Sequence, residues 1–271
     1  MPILNLNFIK GVNDTLLVFI HGGGYTLNTW DLVLNELYQI CPDYSILTLD
    51  LRGHGLSFDA NSFSLEEYSQ DILETYISLQ FKPKYTILIG HSLGAAIAID
   101  IAYNKLITNV IGVVDVDVVE GTALNALQYM KNIIQQRPEQ FTSIQEAIQW
   151  AIHSNYATEQ NAALGVPHQL VKSGSTWIWR TDLLQTEPFW MNWFTNLSTK
   201  FLECTCGKLL IVANTNRLDT PLTIAQMQGK FQMTILPYGH ALHEHNPLEF
   251  ATVLHTFAKR QVPLVFPRKM K

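Results

Sequence analysis

The short run Gly90-His91-Ser92-Leu93-Gly94 constrains the fold of this chain more than any other part of it. An apolar run at 85–89 precedes it and predicts a strand, and a small-residue run at 95–99 follows it and predicts a helix. Glycines two positions before and two after Ser92 remove side chains that would collide in a tight turn. This context favours a strand–turn–helix elbow, with Ser92 at the carboxyl end of a parallel strand, over an ordinary surface turn.

Apolar runs of strand length recur along the chain, and helix-like segments separate most of them. Ser64 precedes one such segment and is a predicted N-cap, because its hydroxyl can accept from the free amides of the first turn. The predicted strands are 4–9, 15–20, 45–50, 85–89, 110–116, 208–213 and 231–236, and predicted helices include 30–40, 65–80 and 247–259. With the first strand antiparallel, this alternation predicts an α/β fold with a mostly parallel central sheet and helices on both faces.

The interval between Asp117 and Lys208 breaks this alternation. It shows no convincing strand pattern, two predicted helices at 122–136 and 143–154, and most of the tryptophans of the chain. We therefore expect a single domain spanning 1–271, with a helical cap inserted at about 122–205 over the carboxyl edge of the sheet. Most of the aromatic side chains are expected to fill the cap's own core, and the others to line a pocket beneath it.

Composition argues against several classes of function. The net charge is −5, only 15% of the residues are charged and the basic tail at 268–271 is short, so no nucleic-acid partner is expected. No apolar run reaches membrane-spanning length and the first residues lack a signal-peptide pattern, so neither a membrane span nor secretion is expected. Cys41, Cys204 and Cys206 complete no metal motif and favour a reducing compartment, the cytosol or the nucleus.

A serine nucleophile needs a general base, and the base needs an anion that orients it. In folds with this elbow the partners follow in the order serine, acid, histidine. His240 lies in a loop shortly after the last predicted strand and is the predicted base. His243 and His245, which follow closely, are the alternatives.

The acid is predicted from its position on a strand. Asp115 and Asp117 alternate onto one face of the strand at 110–116, and Asp117 is nearer the carboxyl end, where the serine is expected. The loop after the strand at 208–213 offers no carboxylate before Asp219. Asp117 is therefore the predicted acid, with Asp115 and Asp219 as alternatives.

The oxyanion of an ester-cleaving enzyme needs two backbone N–H donors. We predict Leu93, directly after the serine, as one donor. The other is predicted to be Gly23, within His21-Gly22-Gly23-Gly24, where backbone amides can face a substrate. These glycines are a poor phosphate cradle, because no Lys-Ser or Lys-Thr pair follows them.

Together these runs resemble the protein phosphatase methylesterase family of the α/β-hydrolase superfamily. The similarity extends from about Leu16 to Phe257. The glycine motifs are common to the whole superfamily, whereas the runs at 117–123 and 226–233 are far more specific to this family. Further matches lie at 21–24, 50–52, 90–92, 217–219, 222–224 and 239–241.

The resemblance implies an α/β-hydrolase fold with Ser92 as nucleophile, Asp117 as acid and His240 as base, and with no metal or organic cofactor. It also implies a carboxylic ester hydrolase that acts on the C-terminal leucine methyl ester of its partner, the protein phosphatase 2A catalytic subunit. Members usually carry an amino-terminal extension, an acidic insertion in the cap, and a methionine and two glycines where this chain has Leu93-Gly94-Ala95. Two other functions remain open: a general small-ester hydrolase, and a phosphatase-binding inhibitory module with secondary catalysis.

Overall fold

The computed structural model describes residues 3–154, 156–157, 163 and 165–264. The basic tail at 268–271 and the first two residues of the chain, on which two of the expectations above rest, lie outside these residues. Among the described residues, no helix combines the length and the apolar content that a membrane span requires.

A seven-stranded sheet forms the centre of the molecule. Its strands, in chain order, are β1 (Leu6–Ile9), β2 (Thr15–Ile20), β3 (Ser45–Leu49), β4 (Tyr85–His91), β5 (Val110–Val116), β9 (Gly207–Val212) and β10 (Gln232–Ile235). Their spatial order is β1-β3-β2-β4-β5-β9-β10, with β1 antiparallel to β3 and the other neighbours parallel. Both the mostly parallel sheet and its antiparallel first strand agree with the sequence prediction.

Helices cover both faces of this sheet because its strands are apolar on both sides. Along β2, Leu16, Val18 and Ile20 pack into one apolar core, whereas Leu17 and Phe19 pack into the other. The helices of this part are α1 (Asp31–Ile40), α2 (Leu65–Ser78), α3 (Leu93–Tyr103), α8 (Thr220–Met227), α9 (Leu242–His245) and α10 (Pro247–Leu264).

The N-cap predicted for α2 is present. Ser64 Oγ accepts from the Glu67 backbone N–H at 3.2 Å. Arg52 fixes the same helix from the loop after β3, because its Nη2 donates to Asp71 Oδ1 at 2.8 Å in a largely buried ion pair. The loop that follows β3 is thereby tied to the body of the fold.

The segment between β5 and β9 holds helices and a second, smaller sheet. Its helices are α4 (Glu120–Gln135), α5 (Ile144–His153), α6 (Trp190–Phe194) and α7 (Leu197–Glu203). Three strands, β6 (Gln140–Phe141), β7 (Leu170–Ser173) and β8 (Thr176–Trp179), form an antiparallel sheet in the order β6-β8-β7. The expectation of no strand between Asp117 and Lys208 is therefore wrong, because strands of two to four residues are too short for an alternating pattern to be visible.

The aromatic residues of this segment divide between two cores. Trp177 and Trp179 pack on the small core of the segment itself. Trp190, Trp193 and Phe194 instead pack into the main core, and Trp193 Nε1 donates to the Phe63 carbonyl at 2.7 Å. The expectation that most of them fill a separate core was thus wrong for α6, which joins the segment to the body of the fold.

Arg180, directly after β8, attaches a second part of the segment to the body of the fold. Its Nε donates to the Gly55 carbonyl at 2.7 Å, and its Nη2 donates to the Ser57 carbonyl and to Asp59 Oδ1, each at 3.1 Å. The strand β8 is therefore attached to the loop after β3, across the carboxyl edge of the main sheet.

Candidate active site

The turn between β4 and α3 holds Ser92 in an unusual backbone conformation. Its φ is 52° and its ψ −117°, which residues with a side chain rarely adopt. A Cβ on Gly90 would lie 2.1 Å from the Gly94 carbonyl oxygen, and one on Gly94 would lie 2.2 Å from the Ile20 carbonyl oxygen. Both glycines are required because backbone atoms approach too closely for any side chain, as the sequence pattern predicts.

Asp117, directly after β5, is oriented towards the loop that carries His240. Its buried carboxylate accepts from His240 Nδ1 at 2.8 Å through Oδ2, and from the Ala213 backbone N–H at 3.1 Å through Oδ1. The Arg217 guanidinium forms an ion pair with Oδ2 as well. The carboxylate is therefore held on both oxygens, and it fixes His240 with Nε2 directed away from the acid.

The alternative acids have other contacts. Asp219 Oδ1 accepts from the Leu222 backbone N–H at 3.0 Å and caps α8, and its Oδ2 accepts from Ser198 Oγ at 2.5 Å. Asp115 is buried, which raises its pKa well above the ordinary value, and Oδ1 accepts from the Val118 backbone N–H at 3.4 Å. Of the three candidates, Asp117 is the one in contact with His240.

The alternative histidines also have other surroundings. His243 is buried against Trp30, and its Nε2 lies 2.8 Å from Thr29 Oγ1. Burial lowers its pKa to about 3. The His245 ring stacks on Tyr238 at 5.5 Å between centroids.

His91 was quoted in the sequence motif without a role, and it contacts the loop of His240. Its Nε2 donates to the His240 carbonyl oxygen at 3.0 Å. Burial and the neighbouring His240 lower its pKa well below the ordinary value, so it is neutral. Only its place beside Ser92 in the sequence could have suggested this contact, since the partner lies far along the chain.

Two buried histidines lock the glycine run to the turn after β3. His21 Nε2 accepts from the Leu51 backbone N–H, and His54 Nε2 accepts from the Gly24 backbone N–H, each at 3.0 Å. Burial lowers their pKa values to about 4 and about 3. The Gly24 N–H therefore already donates to a protein acceptor. Leu93, by contrast, lies in the first turn of α3, where an N–H has no acceptor within the helix.

A cavity of about 550 Å³ joins these elements. Ser92, His240 and both predicted oxyanion donors, Gly23 and Leu93, lie in its wall. The rest of the wall is largely apolar and comes from the segment between β5 and β9, including Leu127, Met130, Ile134, Trp150, Trp190 and Trp193. Among the described residues, no three His, Cys, Asp or Glu side chains come together as a metal-binding cluster.

Comparisons with known proteins identify the family of this chain. The sequence model described as the alpha/beta hydrolase family matches residues 17–253. Protein phosphatase methylesterase 1 of Schizosaccharomyces pombe is 43% identical over 264 residues, which cover 94% of this chain and 77% of that protein. The chain belongs to the protein phosphatase methylesterase family.

A further relative supports this assignment, and two solved structures share the fold. A Caenorhabditis elegans protein, named as a probable protein phosphatase methylesterase 1, is 37% identical over 93% of this chain and 71% of its own length. The structure of E-2-(acetamidomethylene)succinate hydrolase has a TM-score of 0.78 at 19% identity, over 94% of this chain and 95% of its own. A marine microorganism esterase has a TM-score of 0.74 at 18% identity, over 95% and 100% of the two chains.

As a protein phosphatase methylesterase family member, the chain is a carboxylic ester hydrolase with the α/β-hydrolase fold. The family match includes the strand that precedes Asp117, the elbow at Ser92 and the loop of His240. Arg217 lies in one of the runs that carry the resemblance, yet sequence reasoning gave it no role. The signal was present, because an arginine in the loop after β9 faces the carboxyl end of β5 in a parallel sheet.

Proposed function

We propose that this chain removes the methyl group from the C-terminal leucine methyl ester of the protein phosphatase 2A catalytic subunit. The observation that carries the proposal is the hydrogen bond of 2.8 Å between His240 Nδ1 and Asp117 Oδ2, in a site whose cavity also includes Ser92. The names of the relatives support the choice of a phosphatase methyl ester as substrate.

Ser92, His240 and Asp117 act as a triad in this proposal. Ser92 Oγ attacks the ester carbonyl carbon while His240 Nε2 takes its proton, and Asp117 stabilises the resulting imidazolium. The oxyanion accepts from the Gly23 and Leu93 backbone N–H groups. His240 then donates its proton to the leaving methoxide, and methanol departs from the acyl-enzyme.

Hydrolysis of the acyl-enzyme completes the cycle. Water attacks the acyl carbonyl while His240 Nε2 takes a proton from it, and the proton then returns to Ser92 Oγ. The products are the free leucine carboxylate, one proton and methanol. Neither a metal nor an organic cofactor takes part in the proposed steps.

The remaining expectations belong to the same proposal. The segment at about 122–205 acts as a cap within a single domain spanning 1–271, because it supplies most of the apolar cavity wall. The phosphatase catalytic subunit is the partner that presents the ester, and the enzyme works in the cytosol or the nucleus.

Incubation with carboxymethylated phosphatase tests the proposal. We expect the wild-type chain to release methanol and unmethylated phosphatase, and Ser92→Ala to release neither while it keeps its fold. Cleavage of small aryl esters with an unchanged phosphatase would instead identify a general esterase. Phosphatase binding and inhibition by both proteins, without demethylation by either, would identify an inhibitory module.

A further inference from the structure

Arg137 is a partly buried cation that the proposed triad does not use. It follows α4, where its backbone N–H donates to the Ile134 carbonyl at 3.1 Å. Its side chain lies in the wall of the same cavity as Ser92 and His240. Its Nε is buried without a hydrogen-bond partner, and no carboxylate of the described residues forms an ion pair with it.

Aromatic rings hold this guanidinium in place. Its central carbon lies 3.5 Å from the centre of the Trp179 ring and 5.5 Å from that of Tyr156. Contact with an aromatic face leaves the N–H edge of a guanidinium available for an acceptor. Burial lowers the pKa of Arg137, but an arginine remains charged at neutral pH.

The described part of the cavity wall offers no anion to this cation. None of the described residues that line it is an aspartate or a glutamate, and most are apolar. Removing a cation from water is costly unless an opposite charge or good acceptors accompany it. The two ring contacts offset only part of this cost, so the site is suited to an anion that a ligand brings.

From this geometry we propose that Arg137 binds a carboxylate in the acyl part of the ester substrate. The substrate class is accordingly a peptide ester with an acidic side chain upstream of the ester. A carboxylate matches the forked N–H edge of arginine in two parallel hydrogen bonds. Arg137 is then a specificity-determining residue, and this role rests on the proposed ester-hydrolase function.

The apolar wall and the cation recognise different parts of the substrate. Apolar side chains such as Leu127 and Ile134 accept the residue that carries the ester, whatever its exact shape. A fixed charge in a mostly apolar cavity discriminates more sharply, because a substrate without the matching group leaves the cation unpaired. Acidic peptides are therefore expected to bind more tightly than their neutral isosteres.

Inhibition of aryl acetate hydrolysis by peptide amides tests this without requiring demethylation. The peptides end in leucine amide and carry one glutamate, or one glutamine as the neutral isostere, at each of the four preceding positions. We expect one position at which the glutamate peptide inhibits the wild type about tenfold more strongly than the glutamine peptide. The ratio should fall to about one in Arg137→Gln and to an intermediate value in Arg137→Lys, since a lysine cannot form the fork.

Lys131→Gln is the matched control, because Lys131 is an exposed cation on α4 paired with Glu187. It should leave the ratio unchanged. Lys131→Gln should also leave aryl acetate turnover without peptide unchanged, and circular dichroism shows whether each variant is folded. If Arg137→Gln no longer hydrolyses aryl acetate, the ratio of inhibition by the glutamate and glutamine peptides in Arg137→Lys tests the proposal instead.

Absence of any glutamate preference in the wild type would overturn the proposal, and so would a preference that survives in the Arg137 variants. Failure to demethylate the phosphatase, with the glutamate preference intact, would instead overturn the proposed substrate alone.

Discussion

At the scale of single residues, the site depends on which carboxylate orients His240. The strand position of Asp117 was enough to predict which carboxylate contacts His240, because parallel strands bring their carboxyl ends to one edge. Asp219 was a reasonable alternative by sequence, and only the structure reveals that its side chain caps α8. The place of Arg217 in the loop after β9 indicated that it lies near Asp117, whereas the contact of His91 with the His240 carbonyl depends on loop geometry and was not predictable.

Substitution by asparagine is expected to distinguish the role of Asp117 from that of Asp219. Asp117→Asn keeps the shape of the side chain but removes the charge that stabilises the imidazolium, and it leaves Arg217 without its counter-ion. We expect kcat for ester hydrolysis to fall by roughly three to four orders of magnitude with little loss of secondary structure. Steady-state kinetics and circular dichroism provide the measurements.

Asp219→Asn is the isosteric control for this experiment. Asparagine caps a helix about as well as aspartate does, so activity and stability should remain near wild type. Near-normal turnover in Asp117→Asn together with loss in Asp219→Asn would reverse the assignment of the acid.

At the scale of elements, the β4–α3 elbow is the part that the sequence predicted best. Its signal is local: an apolar strand, two glycines and a small-residue helix lie within fifteen residues of one another. The small sheet β6-β8-β7 was missed because its pairing is distant and its strands are short. The attachment of α6 to the main core was missed for a similar reason, since Phe63 is remote in sequence from Trp193.

The close contact between α3 and β2 makes Gly94 a sensitive position. A methyl group there would lie 2.2 Å from the Ile20 carbonyl oxygen, so Gly94→Ala must displace the helix or the strand. We expect a loss of about 3 kcal/mol or more in the free energy of unfolding, together with loss of esterase activity. Urea unfolding followed by fluorescence measures the first quantity.

Gly121→Ala is the matched control, because the new methyl group would lie 3.4 Å from its nearest neighbour, Asp219 Cβ. Gly121 lies in α4, where alanine is favoured over glycine by up to about 1 kcal/mol. It should leave stability unchanged or raise it slightly. Equal losses in the two variants would contradict the packing described for the elbow.

At the scale of the whole molecule, buried titratable groups set a pH window for stability. His21 and His54 are neutral in the folded chain, with pKa values lowered to about 4 and about 3 by burial. Their contribution is complete above the ordinary histidine value of 6.5 and is lost as the pH falls towards these folded values. Protonation would also abolish the acceptors on which the Leu51 and Gly24 amides depend.

Glu244 acts in the opposite direction. Burial raises its pKa from 4.5 to about 8, and its carboxyl group hydrogen-bonds to Thr29. An acid with a raised folded pKa contributes stability that is complete below pH 4.5 and is lost as the pH rises to about 8. The two effects together place the optimum between the histidine and glutamate limits, in the weakly acidic to neutral range.

Glu244→Gln removes the loss of stability that ionisation of Glu244 causes at rising pH. The variant should gain stability relative to wild type as the pH rises from 4.5 to about 8, because an amide cannot ionise. We expect a relative gain of roughly 2–4 kcal/mol across this range, since one pKa unit corresponds to about 1.4 kcal/mol. Denaturant unfolding at several pH values measures it, and Glu66→Gln on the exposed side of α2 is the control. A constant difference between Glu244→Gln and wild type would contradict the buried, protonated carboxyl.

The central claim is that Ser92 is a nucleophile activated by His240. Its most direct test is peptide mapping by mass spectrometry after reaction with a fluorophosphonate, with and without phosphatase. We predict one adduct per chain on the peptide that contains Ser92, at a rate at least about 100-fold lower in His240→Ala. Failure of folded wild-type protein to react under both conditions, or an adduct at another residue that forms as fast in His240→Ala, would contradict the account.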